Sequence, residues 1–443
     1  MKELDPALHD VMDPTKRKDK KITDKDNKQI GTVKVARLPL AIQKKIVVTS
    51  SAFLGSPEIS STPKGDVQIK MNEGIDRVWE SNKMDYKFRE LVERAMSERQ
   101  SAILWYTQAA EEGYWEGTNI NSKLRLRARI LSPTLGDTLY PVYDEYGDMI
   151  AFGRAYDIKT GDKTVEYFDL YTADRVYYCS NEGGTWVIGN FTDSKDPSVK
   201  ADNKPGIPNI AKKIPVVYFQ HHLAWEDVQL LIARLEEIVS KHADTNDYNG
   251  SPIMKATGGV ISMSDKGDSG KLVEMEQGAT LEYLTYNSLP ESVKMEVENL
   301  LKFIFSLTHT PDISFENLKN LGYFSTAALK TMFADAHLNA SHNERVFGEG
   351  AQRIINYIKA MLAVMDTSTK PALSMQVTPA FTYFLPDNFS EDLDNIGKAL
   401  DKGIITKDSA TRLNPLLSDP DAEIEALKLE QTNNPAPAPA PVV

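Results

Sequence analysis

Between Leu124 and Phe219 the apolar residues fall in short alternating runs, "LRLRARIL", "MIAFGRAYDI", "TVEYFDLYTADRVYYC", "TWVIGNF" and "IPVVYF", inside a chain that otherwise follows helical spacing. A period of two sends successive side chains to opposite faces of a strand, which no helix can do. Turn signals at Tyr146-Gly147-Asp148, Thr160-Gly161-Asp162 and Glu182-Gly183-Gly184 separate the runs. The pattern predicts an antiparallel sheet inserted into a helical chain, an α+β fold.

The flanking segments predict helices. "RLPLAIQKKIVVTSSAFLGSPEIS" spaces Leu40, Ile42, Ile46, Val47 and Phe53 helically before Gly55, Ser56 and Pro57 stop it. "VQIKMNEGIDRVWESNKMDYKFRELVERAMSERQSAILWYTQAA" reads as two packed helices, with Ile75, Val78 and Trp79 on one face, Phe88, Leu91, Val92 and Ala95 on another, and Asn82 near the break. After the sheet, helices are expected over Ala224–Asn246 and Ser288–Thr308, with short strands and turns between them, and a long helix from Ser325 to about Met365. "PDNFSEDLDNIGKALDKGIITKDSATRLNPLLSDPDAEIEALKLEQ" is acidic and helical in pieces, with Ser390 as an N-cap and Gly403 as a stop. The charged residues 1–34 predict a flexible basic arm, and the Pro-Ala run over 432–443 a disordered tail.

Composition narrows the class. At 443 residues and 41% hydrophobic the chain is long enough for more than one core. No stretch approaches the roughly 18–20 apolar residues of a membrane helix, so no membrane association is expected. Cys179 is the lone cysteine, which excludes an internal disulfide and reads as a small strand residue. The net charge of −12 argues against a broad basic face gripping nucleic acid.

Catalytic templates fail one by one. "DKGDSGKL" has Asp265 where a phosphate loop needs glycine and Leu272 after Lys271, and its Gly-Asp-Ser-Gly string reads as a turn. The seven histidines form no metal signature: His221 and His222 would diverge across a strand, and His337 and His342 around a helix. No carboxylate pair stands out as an acid/base couple, and no cofactor is expected.

The polar stretch "HTPDISFENLKNLGYFSTAALK" is far longer than a helical hairpin requires, which points to a functional loop. With "RLPLAIQKKIVVTSSAFLGSPEIS", "VWESNKMDYKFRELVERAMSERQSAILWY" and the strands "AFGRAYDI" and "VEYFDLYTADRVYYC", it resembles the portal proteins of tailed bacteriophages over about residues 35–430. The family's usual Ser-Gly before Ala-Leu-Lys is here Ser325-Thr326. The resemblance implies a ring at the capsid vertex, of twelve subunits in the virion, through which double-stranded DNA is packaged and ejected.

The same resemblance implies the parts. Residues 35–223 would form the wing, 224–249 and 288–310 the stem helices, and 250–287 a small β clip. Residues 311–324 would form a tunnel loop, 325–385 the long helix and a return to the wing, and 386–431 a helical crown. Glu316, Asn317, Lys319 and Asn320 would project from the tunnel loop into the DNA channel, and Lys266, Asp268 and Lys271 would face the packaging motor from the clip. Implied partners are other copies of the chain, the terminase large subunit, a head-tail adaptor protein, the major capsid and scaffold proteins, and the DNA. Assembly in the host cytoplasm and residence in the virion follow. The rival readings are an intracellular enzyme or nucleic-acid-processing protein in which the polar loop is a lid, and another phage minor head protein.

Overall fold

The computed structural model describes residues 2–23, 28–161, 163–189, 204–249, 253–258, 260–263, 273–284, 290–311, 331, 333–383, 389–417 and 419–433. They fall into two units, Met1–Thr310 with Asn339–Thr382, and Pro311–Leu338 with Tyr383–Val443.

Within the first unit, 3-10 turns between Lys2 and Met12 precede a hairpin of β1 (Lys20–Thr23) and β2 (Gln29–Val33). This segment was expected to be a flexible arm; the stretch around His9 and Val11 is seated instead, while β1 is exposed along its length. Val11 is buried, and the buried His9 places Nδ1 2.6 Å from Glu236 Oε1. Polar composition hid this, because the contacts are hydrogen bonds and ion pairs.

Next come α1 (Ile42–Leu54), β3 (Glu58–Ser61), α2 (Asp66–Ser81) and α3 (Met84–Glu98). Asn82 occupies the α2–α3 break. Its Nδ2 donates to the carbonyls of Val78 and Leu126, and its Oδ1 accepts from the Ala128 N–H. One buried amide thereby satisfies helix-end and strand groups that burial would otherwise leave unpaired.

Gln100–Ala109, taken as a continuation of the helix pair, is strand β4. Residues 101–105 are buried on both faces, so the segment lacks alternation and resembles a buried helix.

The strands that follow are β5 (Leu124–Leu131), β6 (Asp137–Tyr143), β7 (Met149–Thr160), β8 (Lys163–Thr172), β9 (Arg175–Glu182), β10 (Thr185–Ile188), β11 (Ile207–Pro208) and β12 (Val216–Gln220). They build two antiparallel sheets where one was expected. The smaller has the order β12-β4-β5; the larger runs β10-β9-β8-β7-β6, with β11 paired to β9. Alternate residues of the smaller sheet face opposite layers. Ala102, Leu104, Leu131 and Val216 meet Leu139, Phe152 and Tyr171 of the larger sheet in one apolar cluster. Ser101, Trp105 and Phe219, on the other face, meet helices: the Ser101 hydroxyl donates to the Leu91 carbonyl, and the Phe88 and Phe219 rings lie 6.3 Å apart, edge to face.

After β12 come α4 (Gln229–Asn249), β13 (Ile253–Thr257), β14 (Val260–Met263), β15 (Val273–Met275), β16 (Thr280–Leu284) and α5 (Pro290–Leu307). β13 pairs with β16 and β14 with β15, so the chain between the two helices folds as nested antiparallel ribbons. The long helix is described as α6 (Ala334–Met365). Gly350 seats it on the smaller sheet, since a Cβ there would meet Phe219 Cε1 at 2.0 Å. β17 (Val377–Ala380) then returns to pair with β3.

In the second unit α7 (Phe389–Asp401), α8 (Lys407–Leu413) and α9 (Pro420–Asn433) are short. Ser390 lies inside α7, so it is not the expected N-cap. Gly403, at φ 66°, ends the helix as expected: its N–H donates to the Leu400 carbonyl and that of Ile404 to Ala399, a Schellman motif. Helix α9 continues through Asn433, so the start of the expected disordered tail is helical, and 434–443 lie outside the described residues.

Candidate functional site

Helices α4 and α5 carry more apolar surface than they bury. Val228 before α4, Ile232, Leu235 and Ile238 on it, and Leu300 and Ile304 on α5 are buried. Leu230 on α4 is 84% exposed and Phe303 on α5 57%, with Met295 and Leu307 also exposed. Between the helices Arg234 Nη2 lies 3.0 Å from Glu296 Oε1, a solvated pair worth about 0–1 kcal/mol. Large apolar side chains standing out from paired helices mark a surface that suits further association.

The opposite relation holds where the N-terminal segment meets α4. Glu236, Ser240 and Asp244 stand four residues apart, about 6 Å along the axis and on one face. Their side-chain oxygens accept the N–H groups of Leu40, Leu38 and Ala36 at 2.8, 3.0 and 2.6 Å. Alternate residues of an extended chain repeat at about 6.6 Å, so an extended strap matches one turn of helix per two residues. Asp244 Oδ2 also accepts from Arg17 Nη2 at 2.6 Å, and Glu236 engages His9.

At the far end of α5, His309 takes φ 52° and the chain closes a Schellman motif. The Thr310 N–H donates to the Phe305 carbonyl at 2.9 Å and that of His309 to Ser306 at 3.3 Å. Pro311 follows, which explains why this helix stops before the polar loop. The loop residues Glu316, Asn317, Lys319 and Asn320 lie outside the described residues. So do Lys266, Asp268 and Lys271, and so does the expected start of the long helix at Ser325.

Two further groupings were not anticipated. His221 and His222 stack at 4.2 Å, because the strand ends at Gln220 and the alternation assumed for them no longer applies. His221 Nε2 is 3.1 Å from Asn343 Oδ1, and Arg99, His342 and Arg345 line the same surface pocket. Burial pushes the His221 imidazole down from its ordinary pKa.

The second grouping lies on the inner face of the larger sheet. Arg154 Nε donates to Asp137 Oδ1 at 2.7 Å, its Nη1 lies 3.6 Å from Asp169 Oδ2, and its guanidinium stands 3.8 Å from the Tyr156 ring centre. Burial pushes the Asp169 carboxyl up to about 6, against the pull of Arg154. The register explains the assembly, since Leu139, Arg154, Asp169 and Tyr178 are cross-strand neighbours on consecutive strands. Strand alternation would have placed these residues on one face, had the pairing order been known.

Among the described residues no three of His, Cys, Asp or Glu are grouped so as to hold a metal ion, and no helix is long and apolar enough to cross a membrane. What the geometry offers is surface for association and a polar cluster between two sheets.

Comparison with known proteins adds the family. The model of the family described as phage portal protein, SPP1 Gp6-like, matches residues 8–435. Among solved structures the chain is similar to one described as the neck of a native GTA particle computed with C12 symmetry, at 9% identity and a TM-score of 0.37, covering 84% of this chain and 89% of that one. No curated protein matches the chain.

Proposed function

We propose, because the chain belongs to the SPP1 Gp6-like family of phage portal proteins, that copies of it close into a ring at the capsid vertex through which double-stranded DNA is packaged and ejected. The family match over 8–435, nearly the whole chain, carries this reading. The family is a structural one, and the role proposed is that of a passage and docking platform without catalysis of its own.

In this proposal α4 and α5 are the stem, with Leu230, Met295, Phe303 and Leu307 turned to neighbouring copies. A head-to-tail contact that closes by rotation would cover them, and twelve subunits is the proposed number. The ribbons of β13 to β16 are the clip, from which Lys266, Asp268 and Lys271 face the terminase large subunit. Residues 311–324 are the tunnel loop. Residues 35–223, with 325–385, form the wing and the long helix behind the loop, and 386–431 the crown. The head-tail adaptor protein and the major capsid and scaffold proteins are the remaining partners, with assembly in the host cytoplasm and residence in the virion.

The charge suits the passage. Each lysine–phosphate contact adds salt-dependent retention, and a channel that must release DNA needs few of them. With a net charge of −12 the chain has no excess of cations to hold the duplex. In the loop Glu316, Asn317, Lys319 and Asn320 mix charge with amides, which suits contacts that form and break.

Deleting Asn317–Asn320 tests the loop assignment. Rings should assemble normally while packaged DNA per particle falls; an unchanged DNA yield would remove these residues from the channel.

A further inference from the structure

A pocket of about 410 Å³ opens beside the last turns of α6. Its volume lies at the small end of the range of organic-ligand sites. Lys359, Ala360, Ala363 and Val364 share one face of the helix at spacings of three and four, and the two alanines, whose side chains end at Cβ, take up little of the space beside it. Lys213, between β11 and β12, also lines the pocket, as do Lys370 and Leu373 of the 3-10 segment Thr367–Ser374.

Three ammonium groups meet here without a counter-charge. No carboxylate lines the pocket, and among the described residues none of Lys213, Lys359 and Lys370 is in an ion pair. Lys213 and Lys370 are exposed, so water solvates them. Lys359 is not so served: it is 7% exposed, and among the described residues the Met375 carbonyl is the one acceptor for its three N–H groups. Burial, and then the charge of Lys213, push its amine below the ordinary lysine pKa. A buried charge is normally paired, so this one asks for an anion that the chain itself does not provide. Beside it Val364 and Leu373 are 38% and 45% exposed, which sets uncovered apolar surface next to the unpaired charge.

We infer that the pocket binds a small amphiphilic carboxylate, an organic acid on an aliphatic or aromatic body. The carboxylate, which only accepts, takes the remaining N–H groups of Lys359, and Lys213 and Lys370 add attraction from more solvated positions. The body covers Val364, Leu373 and the two alanines. Inorganic phosphate would answer the charge but cover no apolar surface, a neutral ligand would leave the ammonium unpaired, and a cation would meet three like charges. The inference stands apart from the proposed ring.

Such a carboxylate can belong to a free acid or to the C-terminus of a polypeptide that ends in an apolar residue. Ligand-observed saturation-transfer NMR titrations on the full chain distinguish these, with 4-methylpentanoate as the free acid and N-acetylleucine as the polypeptide end. The neutral 4-methylpentanamide, which keeps the body, is the control for charge. Acetate and inorganic phosphate, added as competitors, are the controls for the body.

The acid should bind at least about tenfold more tightly than its amide, the worth of one charge-assisted hydrogen bond. It should also outcompete acetate and phosphate by about tenfold. Lys359→Met, which keeps the length of the side chain, should abolish the preference for acid over amide. The pair Lys213→Gln and Lys370→Gln, at exposed positions, should weaken the acid about two- to fivefold and leave the amide unchanged. Tighter binding of N-acetylleucine than of 4-methylpentanoate assigns the site to a polypeptide end; equal or weaker binding assigns it to a free acid. Equal binding of acid and amide to the unaltered protein, or phosphate binding as tightly as the acid, overturns the inference, and that comparison needs no variant to fold. A preference for the acid that survives Lys359→Met overturns it as well.

Discussion

Asp169→Asn should raise stability at neutral pH, although it removes one partner of a buried ion pair. The carboxyl is pushed up to about 6 from an ordinary value of 3.8. Burial therefore disfavours its ionised form by roughly 2 pKa units, about 3 kcal/mol at 1.36 kcal/mol per unit, after the attraction of Arg154 is included. Between about pH 4 and pH 6 the folded chain holds a proton that the unfolded chain has released. Stability must then fall as pH rises through that window and level off above it. Asparagine keeps the shape and carries no charge, while Arg154 retains Asp137 at 2.7 Å. Denaturation of both proteins should be followed from pH 4 to 7.5 at one protein concentration, because association makes melting temperatures concentration-dependent. Asp169→Asn should remove the decline between pH 4 and 6 and gain up to about 3 kcal/mol at pH 7. A loss of more than about 1 kcal/mol at pH 7 with the pH profile unchanged would refute the reasoning and make the ion pair the dominant contribution.

Two other substitutions probe how the first unit is held together. Gly350→Ala gains about 1 kcal/mol of helix propensity but drives a methyl into the Phe219 ring, at a cost of about 1–3 kcal/mol or more; a lower melting temperature is expected, and a rise would mean that the ring moves aside freely. Lys70→Met strands Asp366, whose burial is outweighed by Lys70, the Asn121 N–H and Ser368, so that the carboxyl is held well below the usual range. The contribution of a depressed carboxylate is present above its ordinary value of 3.8 and lost as pH falls below it. The substitution should cost about 1.5–3 kcal/mol at pH 7 and progressively less as pH falls below 3.8; a cost that does not change with pH would show that packing, and not charge, is what Lys70 supplies.

How much of this was legible in the sequence depended on whether a contact leaves a periodic trace. Helices α1 to α5 were readable because one face of each is apolar, and β5 to β10 because alternation and glycine turns mark half-buried strands. β4 was misread, since burial of Ala102 and Leu104 on one face and Ile103 and Trp105 on the other erases alternation. The strap was invisible for a different reason: its donors are the backbone N–H groups of Ala36, Leu38 and Leu40, which every non-proline residue owns. The Asp137–Arg154–Asp169 cluster needed the strand order, and the His221–His222 stack the residue at which β12 stops. The residues singled out for the tunnel loop and the clip fall outside the described chain, so sequence and resemblance remain their whole support.

The central claim, that copies of this chain close into a ring, is tested most directly by the mass of the purified protein in native mass spectrometry, with negative-stain images of the same sample. The account predicts one species of about twelve chains of 49.5 kDa each, imaged as a ring with a central hole. It also predicts that Leu230→Asp with Phe303→Asp shifts that species to smaller assemblies. A monodisperse 49.5 kDa monomer at every concentration, unaltered by the double substitution, would contradict it.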